Sequence, residues 1–112
     1  MIKLWIDDMR PAPDESYFWI KSVWDAKMFL TTRVRPEGDI LEVDEINLDH
    51  DAGDYYEKGG DYIKILDWLE GCQRLRGWHI YATFKFHSMN PVGVQNMKRV
   101  CREAGWRVRI KN

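Results

Sequence analysis

The sequence predicts an α/β domain built on a parallel sheet. Three observations carry this. Short apolar, β-branched and aromatic runs alternate with runs whose apolar residues recur at helical spacing, and that alternation implies right-handed βαβ crossovers. The helical runs carry recognisable start and stop residues, such as Asn90-Pro91 and Gly105. A chain of 112 residues, 45% hydrophobic, suits one domain spanning 1–112 around one core.

"IKLWI" (2–6) is an apolar run that stops at Asp7-Asp8, and it reads as a buried strand. "RPAPDES" (10–16) cannot form a long helix, because Pro11 and Pro13 remove donors and push their predecessors into extended backbone. "YFWIK" (17–21) is aromatic and β-branched, hence a second strand. Ser22 then opens a helix. With Asp25 three residues on it fits a capping box, and Val23, Ala26, Phe29 and Leu30 share one face. Pro36-Glu37-Gly38 ends that segment.

"EINLD" (45–49) is the third strand, followed by a long turn over 50–61. Ile65, Leu66, Leu69 and Cys72 mark a helix over 62–73. "HIYATFKF" (79–86) reads as the fourth strand. A helix over 91–104 has Asn90 as its cap, and Met97, Val100, Cys101 and Ala104 as its apolar face. "WRVRI" (106–110) is the fifth strand.

With 31% charged residues and a formal charge of −1, the chain is not composed like a disordered one and has no broad nucleic-acid footprint. The basic cluster Lys98, Arg99, Arg102, Arg107, Arg109 and Lys111 reads as a solvated helix face. Cys72 and Cys101 form no C-x-x-C motif and fall on apolar helix positions, as small buried hydrophobes do. No apolar run approaches 18 residues. The expected location is cytoplasmic, with no membrane partner.

In a parallel sheet, ligands sit outside the carboxyl ends of the strands. Asp7 and Asp8 end the first strand, Asp49, His50 and Asp51 the third, and His87 and Ser88 the fourth. If the first strand is central, these groups converge. Clustered carboxylates repel, and a hard divalent cation such as Mg²⁺ or Mn²⁺ relieves that repulsion. Arg10, Ser88, Asn90 and the amides of the helix opened by Pro91 suit a phosphate. His50 and His87 are the natural proton carriers. Each element also has a plainer account. Asp49–Gly53 fits an Asx-type turn, Asn90-Pro91 is sufficient as a helix start, His87 alone fits a satisfied buried histidine, and the tryptophans fit a core.

"LWIDDMRPAP", "INLDHDAGD", "GGDYIKILDWL" and "HSMNPVGVQNM" together resemble the signature blocks of the cyclic-phosphate processing receiver domains, small response-regulator receiver-like proteins of bacteria and phages. The blocks cover residues 4–97. The resemblance implies a flavodoxin-like three-layer fold with sheet order 2-1-3-4-5, from which this chain is expected to depart twice, with the first helix replaced by a proline-rich loop and the last helix absent. It points to Asp7, Asp8, Arg10, Asp49, His50, Asp51, Asp61, His87, Ser88, Asn90 and Gly93. Within these, Asp7, Asp8 and Asp49 look like the receiver metal site, Arg10, Ser88, Asn90 and Gly93 would bind phosphate, and His50, His87 and Asp51 would be catalytic. Lys111 lies near the place of the receiver lysine. The extra histidines and Asp51 depart from receivers proper.

The leading functional reading is a metal-dependent phosphate-handling domain that hydrolyses cyclic phosphates on a small nucleotide or an RNA end. The alternative is a non-catalytic receiver-like module that binds a protein partner, supported by the six tryptophans. A phosphoacceptor receiver ranks third.

Overall fold

The computed structural model describes residues 1–109. Its main sheet has five strands, all parallel: β1 (Lys3–Ile6), β2 (Tyr17–Ile20), β5 (Glu45–Leu48), β7 (Thr83–Phe86) and β8 (Arg107–Arg109), in the order β2-β1-β5-β7-β8. Counted along this sheet alone, that is the expected order 2-1-3-4-5, with β1 flanked by β2 and β5. Ile110 and Lys111, assigned above to the fifth strand and the receiver lysine, lie outside the described residues.

Three helices connect the strands: α1 (Val23–Thr31), α2 (Ile63–Arg76) and α3 (Pro91–Ala104). The crossovers β2–α1–β5, β5–α2–β7 and β7–α3–β8 all advance the same way across the sheet, so a right-handed path puts all three helices on one face. The step from β1 to β2 runs the other way and places the proline-rich segment on the opposite face. Trp5 fixes it there by donating its Nε1–H to the Arg10 carbonyl at 2.8 Å. The outer layer of the receiver class is therefore a loop on that side, as Pro11 and Pro13 require.

Alternation along the strands sorts the side chains. Leu4, Ile6, Ile46, Leu48 and Phe84 are buried against the helices, where they meet Val23, Leu30, Ile65, Leu69, Met97 and Cys101. The opposite face carries Lys3, Trp5, Tyr17, Trp19, Glu45, Asn47 and Lys85. Both cysteines are free and buried, and burial pushes both thiol pKa values up.

Two expectations need correction. The run 79–86 is two strands. β6 (His79–Ile80) pairs with β4 (Ile40–Leu41) in a small sheet of order β3-β4-β6, while β7 pairs with β5. The exposed Tyr81 marks the joint between them. In that small sheet β3 (Val34–Arg35) and β4 form a hairpin whose strands are two residues long, too short to show a period. In addition, α2 runs to Arg76 and stops where Gly77 adopts the left-handed conformation (φ 73°).

Candidate active site

At the carboxyl edge of β1, Asp7 is 1% exposed. Its Oδ1 accepts from the amides of Met9 (2.9 Å) and Arg10 (2.8 Å), and its Oδ2 lies 2.9 Å from His87 Nε2. A carboxylate has about four lone-pair sites, so Asp7 keeps roughly one for a further ligand. Burial alone would raise the Asp7 pKa, but the two amides and His87 outweigh it and the net direction is down. Asp8 behaves oppositely. Burial raises its pKa, and the charges of Asp7 and Asp49 push it further up. Gly53 (φ 55°) packs against it, and a Cβ there would lie 2.2 Å from Asp8 Oδ2.

Asp49 enters from β5. Ligand atoms of Asp7, Asp8 and Asp49 all lie within 4.8 Å of one another. The donor set is oxygen only, it comes from three carboxylates, and the Asp8 shift registers their mutual repulsion. Those features fit a hard divalent cation such as Mg²⁺ or Mn²⁺. A second group, His50, Asp51 and Asp61, also falls within 4.8 Å, and Asp61 Oδ1 caps the Ala52 amide at 3.0 Å.

His50 is oriented from two sides. Its Nδ1 lies 2.7 Å from Asp51 Oδ1, and its ring rests on the bare α-carbon of Gly93 in the first turn of α3. Its Nε2 has no hydrogen-bond partner among the described residues. An Asp carboxylate on Nδ1–H leaves the Nε2 lone pair available, the arrangement of a general base.

Arg10, Asp49, Asp51, Ser88, Met89, Asn90 and Pro91 line an open cleft of about 460 Å³. Arg10 is exposed and donates Nη1–H to the His87 carbonyl at 3.1 Å, keeping its other donors free. Ser88 Oγ accepts from the Asn90 amide at 3.0 Å and retains its own proton. Asn90 is the cap of α3 as expected, with Oδ1 accepting from Gly93 N at 2.9 Å. A larger depression of about 600 Å³ opens at the opposite edge of the sheet, around Leu41, Asp44 and Tyr81. Neither grouping of ligating side chains falls there.

Three assignments change with this geometry. His87 was expected to exchange protons with a substrate. Instead its side chain is 8% exposed, stacked on Trp5, and held at both nitrogens by Asp7 and by Asn47 Oδ1 (2.8 Å). Burial lowers its pKa, and the Asp7 carboxylate opposes that. The ring is built in as a support for Asp7. Gly93 was expected to meet phosphate, but its amide is spent on the Asn90 cap and its missing side chain makes room for His50. The α3 terminus also offers less than expected. Pro91 has no N–H, and Gly93 and Val94 donate to Asn90, which leaves the Val92 amide.

Sequence reasoning missed Trp5, Asn47 and Trp19. Trp19 donates Nε1–H to the Asp7 carbonyl at 2.8 Å. The only signal for Asn47 was a polar residue inside the apolar run "EINL".

The family model described as the cyclic-phosphate processing receiver domain matches residues 2–103. The chain belongs to that family. No curated protein and no solved structure matches it. In this receiver domain the three carboxylates expected to hold a metal, Asp7, Asp8 and Asp49, form one of the two groups of ligating side chains that the fold gathers. No helix among the described residues is long and apolar enough to cross a membrane.

Proposed function

We propose that this receiver domain opens cyclic phosphate esters, on a nucleotide or an RNA end, in a reaction that needs a divalent cation. The observation that carries the reading is the oriented pair Asp51–His50, whose carboxylate lines the same cleft as Asp49, Arg10 and Ser88. A cleft holding Asp49 and Asp51 repels a phosphate unless a cation sits among the carboxylates. Asp7, Asp8 and Asp49 would hold Mg²⁺ or Mn²⁺. Once bound, the cation stabilises charge on the phosphate oxygens and favours deprotonation of a water.

The remaining work belongs to the chain. Arg10 forks onto the phosphate oxygens, the Ser88 hydroxyl and the Asn90 side-chain amide donate to them, and the Val92 amide faces the same end of α3. His50 Nε2 takes the proton of the attacking water while Asp51 holds the ring. The new P–O bond forms as one ribose P–O bond breaks, and the departing ribose oxygen regains a proton from solvent. The product is a phosphate monoester.

The test is hydrolysis of 2′,3′-cyclic nucleotides by wild type, His50→Gln and Asp49→Asn, with products resolved by chromatography. Loss of a general base costs on the order of 10²–10⁴-fold in rate. Equal rates in all three proteins would reject the assignment.

A second reading has one observation in its favour. Trp24 (55% exposed) and Met28 (70%) stand out from α1, as residues of a protein-binding surface do. Under this reading the domain docks on a protein partner and turns over no cyclic phosphate. Absence of turnover by folded, cation-loaded protein would favour it.

A further inference from the structure

Asn47 sits between Ile46 and Leu48, both fully buried against the helices, so its own side chain points to the helix-free face of the sheet. It is 6% exposed. A polar group buried on a central strand is costly unless it is hydrogen-bonded. Asn47 makes that bond with His87, its Oδ1 lying 2.8 Å from Nδ1.

The far side of the imidazole meets Asp7 Oδ2 at 2.9 Å, and the ring lies on Trp5 with planes 5° apart and centroids at 3.7 Å. Stacking fixes the plane of the ring but not its rotation within that plane. Asn47 supplies the second constraint. Asp7 has roughly one lone-pair site left over from its hydrogen bonds, so a small rotation of its carboxylate turns that site away from Asp8 and Asp49. An apolar side chain at position 47 offers His87 no such partner.

We propose that Asn47 is a positioning residue which, through His87, fixes the Asp7 carboxylate in the orientation that receives a divalent cation. The inference rests on the reading that Asp7, Asp8 and Asp49 form a cation site.

The experiment is calorimetric titration of Mn²⁺ into wild type, Asn47→Leu and Asn47→Ala, paired with proton spectra of the His87 ring N–H in the absence of metal. Loss of a hydrogen-bond partner behind a metal ligand typically weakens metal binding roughly 10- to 100-fold, and that is the effect expected of Asn47→Leu, together with a shifted or lost ring N–H signal. Should Asn47→Leu fail to fold, Asn47→Ala removes the same partner with less bulk and should weaken Mn²⁺ in the same direction. Wild-type affinity in Asn47→Leu, or in Asn47→Ala where only that variant folds, overturns the inference and leaves the cation site standing. A wild type that takes up no Mn²⁺ overturns the cation site itself, and the inference with it.

Discussion

A Cβ built on Gly93 would lie 2.4 Å from the imidazole carbons of His50, so the first turn of α3 and the histidine fit together only because position 93 has no side chain. Glycine inside a helix normally costs about 1 kcal/mol relative to alanine. Here the contact reverses the sign. Gly93→Ala is expected to lower stability in thermal melts and to reduce turnover about as much as His50→Gln does. A stabilised, fully active Gly93→Ala would show that His50 is free to move aside.

Asp8→Asn removes one of three mutually repelling carboxylates. The raised Asp8 pKa means that folding favours its neutral form, so an amide should raise the melting temperature of the metal-free protein. The same change removes a ligand. Cation binding to the native state adds about 2.7 kcal/mol at a hundredfold excess over Kd, and Asp8→Asn should lose most of that gain. Melting curves with and without millimolar Mg²⁺ check both halves.

Asp7 predicts the acid limb of stability. Its folded pKa lies below its ordinary value of 3.8. Its contribution is therefore full above the ordinary value and is lost as pH falls through the folded one. Asp7→Asn should flatten the pH dependence of stability below about pH 4, measured by denaturant titration in the absence of metal. An unchanged acid limb would mean that other carboxylates dominate it.

Asn90→Ala should cost about 1 kcal/mol through the lost cap of α3. It also removes the amide that lies 3.4 Å from His50 Nδ1 and lines the cleft. Binding of a cyclic nucleotide, compared at a temperature where both proteins are folded, separates the two roles. Unchanged binding would make Asn90 a helix cap and nothing more.

Much of the fold was legible because the patterns were local. Asn90-Pro91 and Gly105 bound α3, Ser22 caps α1 by accepting from the Asp25 amide at 3.0 Å, and the two prolines keep helix out of the first crossover. The small sheet was not legible, because strands of two residues carry no period. At the site, residue types predicted the gathering of Asp7, Asp8 and Asp49, but not how hydrogen bonds divide the work. Whether a histidine is free or held depends on neighbours distant in the chain. His87 is held by Asn47 from β5 and Asp7 from β1, while His50 is held on one side by its neighbour Asp51. Nothing local to "FHS" or "DHD" distinguishes the two.

The most direct measurement of the central claim is ³¹P NMR of wild-type protein with a 2′,3′-cyclic nucleotide, run with Mg²⁺ or Mn²⁺ and again after chelation. The account predicts conversion of the cyclic resonance into a monoester resonance with cation present, and none after chelation. An unchanged cyclic resonance in the presence of folded, cation-loaded protein would contradict it.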